Sequence, residues 1–321
     1  MKDQLIWSYL IHLSTHMWSD GTVPTSAWYM PPFYNENNNV DIEVWDSTIK
    51  HLGERQYNTL IIDLGDAVKY ESHPEIAAPD AWDKDFLKKK LDEMRQKGIE
   101  PIPKLNFSTG HCVWMKEYRY MISTPTYYKV CADLIAEVSE VFGYPRFFHL
   151  GLDEEVIKHQ KSQHLAIVRQ GEHWWHDAFF LFRECEKHGV RPWVWSDYFW
   201  HNPELFKKNM PKSVLQSNWY YGSFTKDNVP ESRLISINAY VELDRLGFEQ
   251  VPTPSTWSMP NGINQQETLD FCRKNISPEL LKGFMTVPWA RTWPDREFYL
   301  KNDAHMFYVA RKMYFPETLE K

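Results

Sequence analysis

The stretch Phe147 to Glu155, FFHLGLDEE, sets three carboxylates just past a run of apolar and aromatic side chains. Like charges at the tip of a buried strand repel one another and lose hydration, so the arrangement is costly unless it does chemistry. Desolvation, plus the charge of Asp153 beside it, would raise the pKa of Glu154 toward the range in which a carboxylic acid keeps its proton at neutral pH. Such an acid can protonate a glycosidic oxygen. The structural alternative is that these carboxylates cap a helix starting at EEVIKHQ, residues 154–160.

Other polar groups follow apolar runs in the same way. His12, His16 and Asp20 follow the first run, and Asp63 and Asp66 the second. Asn106 and His111 follow the third, and Asp197, flanked by Trp195 and Tyr198, follows the fifth. Asn218, Trp219, Tyr220 and Tyr221 follow the sixth. Asn238, Tyr240, Glu242 and Asp244 follow the seventh, and Trp289, Arg291 and Trp293 the eighth. Acidic and amide groups interleaved with Trp and Tyr suit a neutral polyhydroxylated ligand, because flat rings stack on sugar C–H faces while polar tips bond hydroxyls. Core packing accounts for such rings equally well. No phosphate-cradling loop is present, and no Gly-x-Ser-x-Gly elbow. His12 and His16 straddle a strand end, which favours hydrogen bonding over zinc, and no metal is expected. Lys104 could form a Schiff base, but an ion pair with a nearby acid is the simpler role.

The elements that must position these groups alternate. Strands are expected at 5–13, 58–64, 100–107, 146–152, 191–197, 213–219, 234–240 and 283–289. They are short and mostly apolar, as strands buried on both faces should be. Helical periodicity covers 40–55, 85–99, 124–143, 171–189, 265–275 and 298–315, with no more than a turn expected between the sixth and seventh strands. This is the pattern of an α/β fold, a (β/α)8 TIM barrel, in a single domain over 1–321. Catalytic groups in such barrels lie at the C-terminal ends of the strands.

Composition narrows the class. A formal charge of -7 over 321 residues gives no electrostatic reason to expect nucleic acid. No apolar stretch is long enough to span a membrane. His12 and His16 break the N-terminal apolar run and no small-residue cleavage site follows, so no signal peptide is read. The compartment stays open: cytoplasmic, or secreted or periplasmic if a leader has been removed. The four cysteines form no CxxC and read as buried thiols.

The sequence also carries a family resemblance. HLGLDEE resembles the His-x-Gly-Gly-Asp-Glu signature of the β-N-acetylhexosaminidases, and IEPIPKLNFSTGH resembles their third-strand segment, aligning Gly110–His111 with its Gly-His. KHGVRPWVWSDYF resembles a later strand of that family. The resemblance spans roughly residues 55–200. It implies a glycoside hydrolase acting on β-linked N-acetylated hexose residues, retaining and substrate-assisted, in which the substrate's acetamido oxygen attacks the anomeric carbon. By position, Asp153 would orient the acetamido group and Glu154 would be the acid/base. His111 and His149 would be hydrogen-bonding groups around them, and Tyr240 or Tyr220 would bond the acetamido carbonyl. Asp63, Asp66, Asn106, Trp195, Asp197, Trp219 and Trp289 complete the expected substrate-binding set. The partner is an oligosaccharide or glycan, and no cofactor is implied.

The chain departs from that family at Leu152, in place of the second Gly, and at Lys104 and Asn106, in place of Glu and Asp. The first strand lacks the family's Arg, and PWARTW lacks its Trp-x-Glu. These changes fall on the pocket for the terminal sugar. Two alternatives therefore stand: a carbohydrate-binding barrel without turnover, and a glycosidase of other sugar specificity with a protein carboxylate as nucleophile.

Overall fold

Parallel strands form wherever a short apolar run is buried on both faces. In the computed structural model, which describes residues 4–21, 35–225 and 229–320, these are β1 (Ile6–His12), β2 (Thr59–Asp63), β3 (Glu100–Lys104), β4 (Phe147–His149), β5 (Arg191–Trp195), β6 (Leu215–Ser217) and β7 (Gly283–Thr286). They make one curled sheet of seven strands in the order β6-β5-β4-β3-β2-β1-β7, all pairings parallel.

Helices connect them: α1 (Ile42–Glu54), α2 (Lys84–Arg95), α3 (Pro125–Val141), α4 (Glu172–Lys187), α5 (Tyr198–His201), α6 (Pro203–Asn209), α7 (Leu234–Arg245), α8 (Ile263–Asn275) and α9 (Glu297–Tyr314). Side chains that satisfy the free N–H groups of the first turn set several of the starts. Asp41 accepts from Val44 N at 2.9 Å, Asp83 from Phe86 N at 2.8 Å, and Thr124 from Tyr127 N ahead of Pro125. Cys112, Cys131, Cys185 and Cys272 are free and buried.

The expected strand at 234–240 is instead the first half of α7. Ser236, Ile237, Ala239, Tyr240 and Leu243 are its buried residues, a spacing of threes and fours that only a helix puts on one face. The place between β6 and β7 is taken by residues 249–253. On one side Val251 N donates to Gln216 O at 2.8 Å and Thr253 N to Asn218 O at 2.9 Å. On the other, Gln250 N donates to Leu280 O and Lys282 N to Gln250 O, both at 2.8 Å. Pro252 can donate to neither neighbour, which keeps the pairing to isolated bridges.

The curl has its own interior. Leu10, Ile61, Ile102, Trp193, Leu215, Val251 and Met285, from strands all around the sheet and from the bridging segment, pack into one buried cluster. The register sets the layer above it. His12 pairs with Asp63, Asp63 with Lys104, Lys104 with His149, and His149 with Trp193. One hydrogen-bonded row thus carries a polar layer across the sheet, just below the strand ends.

Candidate active site

That polar layer is internally paired. Lys104 Nζ contacts Asp63 Oδ2 directly, and His12 Nδ1 lies 3.4 Å from the same oxygen. Burial raises the pKa of Asp63, but Lys104 and His12 outweigh it and hold the carboxylate ionised. Burial lowers the pKa of His12, despite the pull of Asp63, and that of His149 well below the usual value. His149 Nδ1 accepts from Gly151 N at 3.1 Å, which assigns the ring proton to Nε2.

Above this floor the chain leaves β4 through an unusual backbone. Gly151, Leu152 and Glu154 all have positive φ, at 72°, 68° and 54°. A Cβ on Gly151 would lie 1.9 Å from Asn106 Oδ1, so glycine is obligatory there. Leu152 and Glu154 adopt a conformation that L side chains resist, and the neighbours must hold them in it. Asn106 is one clamp: its Nδ2 donates to Asp153 Oδ1 at 2.9 Å while its Oδ1 accepts from Ser108 N at 3.0 Å. Asp197 is another, its Oδ2 accepting from Glu154 N at 2.8 Å. Glu155 turns away to pair with Arg169, which also binds Asp177 Oδ2 at 3.0 Å.

The kink brings Asp153 and Glu154 into contact with one imidazole. His111 Nε2 lies 3.2 Å from Asp153 Oδ2 and 3.4 Å from Glu154 Oε2, and His159 Nδ1 lies 3.0 Å from the same Glu154 oxygen. Burial would lower the pKa of His111, but the two carboxylates raise it to about 10. Burial would raise Glu154, yet His111 and His159 bring it down to about 2. Asp153 is likewise held well below the usual range by His111, Lys104 and Asn106 against its burial. The expectation that Glu154 itself is the raised carboxyl is therefore corrected. At neutral pH the cluster holds its proton on His111, and the carboxyl pushed up, by burial and by Asp153, is Asp197. His111, Asp153 and Glu154 offer ligand atoms within 4.8 Å of one another, a spacing a metal could use.

A cavity of about 230 Å³ opens over this cluster. Its floor and rear are Lys104, Asn106, His111, Asp153 and Glu154; its walls are Trp18, Trp195, Trp219, Tyr221, Trp257 and Trp289. Trp219 stacks on Tyr221 at 5.1 Å between centroids, and Tyr221 lies 6.3 Å from Trp289. The Trp195 indole N–H is buried without a partner among the described residues, and the Tyr221 hydroxyl lies against the Trp289 indole. Burial, with Glu154, Asp153 and Asp197 nearby, keeps the Tyr221 phenol protonated.

Of the expected site residues, Asp153, Glu154, His111, Asn106, Trp195, Trp219 and Trp289 line this cavity. Asp197 faces a larger neighbouring cavity that shares Glu154. Asp63 and His149 lie in the paired layer beneath. Asp66 is taken up by His16 Nδ1 at 2.6 Å and Ser14 Oγ at 2.8 Å, and ties the loops after β1 and β2 together. Tyr220 is buried away from the cavity against Phe224, its hydroxyl donating to Ser223 O at 3.2 Å. Tyr240 is carried into the packing of α7 against Phe224 and Phe271, because its segment is a helix and not a strand. Tyr221, one residue on from Tyr220, lines the cavity instead. Trp18, Trp257 and His159 come from loops and a short 3-10 turn that carry no periodic signal.

The fold has known relatives. No protein-family model matches the chain, and no curated protein matches it by sequence. Solved structures do match. The Vibrio harveyi GH20 exo-β-N-acetylglucosaminidase in complex with N-acetylglucosamine superposes with a TM-score of 0.61 at 13% identity, covering 98% of this chain and 57% of that one. In fold, the chain resembles the GH20 β-N-acetylhexosaminidases. A Flavobacterium johnsoniae chitobiase of the GH20 group matches with a TM-score of 0.63 at 15% identity over 98% of this chain and 52% of its own. The Streptomyces plicatus N-acetyl-β-hexosaminidase, with Thio-NAglucal bound, matches at 0.62 and 13% over 98% and 69%. The chain thus spans little more than half the length of the first of these GH20 enzymes.

Proposed function

We propose that this chain is a glycoside hydrolase on a closed (β/α)8 barrel, with residues 249–253 as its eighth staves, acting on β-linked N-acetylated hexose residues with retention. The observation that carries the reading is the Asp153–Glu154 pair, set by a strained turn after β4 and held by His111 beneath indole walls. Asp153 stays ionised and accepts the acetamido N–H, which makes the carbonyl oxygen a better nucleophile toward the anomeric carbon. Tyr221 donates its hydroxyl to that oxygen's developing environment. Glu154 protonates the leaving oxygen and then removes a proton from the water that opens the cyclic intermediate. His111, within ion-pair distance of both carboxylates, holds Asp153 and Glu154 side by side at the cavity. Stacking of a sugar ring on Trp289 and Trp195 supplies affinity without charge.

A second reading is favoured by one arrangement: His111 and His159 both lie against the Glu154 carboxylate and hold it below the usual range. A barrel that binds glycans without cleaving them needs no proton there. Hydrolysis of aryl β-hexosides with and without a 2-acetamido group, by wild type and Glu154→Gln, separates the two. The proposal expects turnover of the N-acetylated compound alone, and a loss of about 100-fold or more in kcat for the variant with binding retained. Binding with no turnover of any glycoside by wild type would establish the second reading, and turnover undiminished in Glu154→Gln would remove Glu154 from the mechanism.

A further inference from the structure

Beside the first cavity lies a second of about 810 Å³, and the two share Glu154, Lys158, His159, Trp219 and Arg233. If Glu154 is the acid, the group it protonates would leave at this shared boundary. The acids around it already have partners. Glu155 is taken by Arg169, Asp197 by the Glu154 backbone N–H, and Glu154 by His111 and His159. Lys158, on the turn Ile157–Gln160, and Arg233, on the turn Glu231–Arg233, stand exposed at the boundary. Among the described residues neither has a carboxylate within ion-pair distance, in a chain whose formal charge is -7. These two cations, from separate segments, line both cavities together with Glu154 and favour an anionic group entering there. Arg233 adds a planar donor fork suited to oxyanions.

We propose that the larger cavity is the leaving-group subsite, and that Lys158 and Arg233 select glycans whose leaving sugar carries an anionic oxo group: a sulfate ester, a phosphate ester or a carboxylate. The inference rests on the reading of Glu154 as the acid. Trp219, which lines both cavities, gives the leaving sugar a ring to stack on. Exposed ion pairs are individually weak, so the two together are worth about tenfold in kcat/KM, and the preference fades with added salt.

The test compares N,N'-diacetylchitobiose with the same disaccharide bearing 6-O-sulfate or 6-phosphate on the reducing sugar, and with an N-acetylglucosaminyl uronic acid. Wild type and Lys158→Met/Arg233→Met are assayed for kcat/KM, and binding is followed by calorimetry. At least one anionic compound should exceed the neutral one by about tenfold in kcat/KM and in affinity. That ratio should fall toward one in the double variant and in high salt, and which arm responds identifies the anion. Cleavage of the neutral disaccharide with no anionic preference in wild type overturns this proposal and leaves the hydrolase reading standing. Absence of all cleavage overturns the hydrolase reading, and calorimetry then still decides the subsite: equal affinities overturn it, and a salt-sensitive anionic preference lost in the double variant supports it.

Discussion

In the proposed mechanism Glu154 has to be ionised to be held and protonated to act, and its partners decide the balance. Burial works to raise its pKa, while His111 and His159 together bring it to about 2. Removing His159 removes one of the lowering causes, so His159→Ala should raise the pKa of Glu154. The acid form then persists to higher pH, and the descending limb of the kcat/KM profile should move upward relative to wild type. A limb that stays in place would show that His159 does not tune the acid. The pair Asp153–Glu154 was legible in the sequence because a charged run directly after an apolar one has few structural uses. Its electrostatics were not legible, because His111 and His159 reach it from other segments, and their effect on Glu154 is opposite in sign to that of burial.

At the scale of elements, the outcome turns on what each segment does between its caps. Helices such as α1 and α3 were readable, since their Asp41 and Thr124 caps and apolar spacing are local. The run LISINAY was misread because β-branched and aromatic residues in a short window suit either state. Its continuation through Leu243 repeats at helical spacing and decides the matter. The consequence is functional. Tyr240 goes into helix packing and Tyr221 into the cavity wall. Tyr221→Phe should lower kcat for an N-acetylated substrate by about tenfold with little change in KM, whereas Tyr240→Phe should leave both constants unchanged. Steady-state kinetics on the two variants checks this, and the reverse pattern would return the role to α7.

Over the whole molecule, the alternation of strands and helices implied a barrel, and the sheet curls as that alternation requires. The eighth position was hidden because Gln250, Pro252 and Pro254 do not form an apolar run. The backbone nevertheless bonds to β6 on one side and beside β7 on the other. The amides of Gln250 and Thr253 should therefore exchange with solvent as slowly as those of the β1 and β2 interiors. Fast exchange measured by NMR or mass spectrometry would show an open sheet. Closure would bear on the proposed function, because Trp219 after β6 and Trp289 after β7 line the same cavity. The claim that this cavity uses the substrate's own acetamido group is tested most directly by fluorinating that group. On aryl N-acetyl-β-glucosaminides bearing mono-, di- and trifluoroacetamido groups, kcat/KM should fall steeply with each fluorine, as the carbonyl oxygen becomes a poorer nucleophile. Rates that stay level across the series would contradict the account and place the nucleophile on the protein.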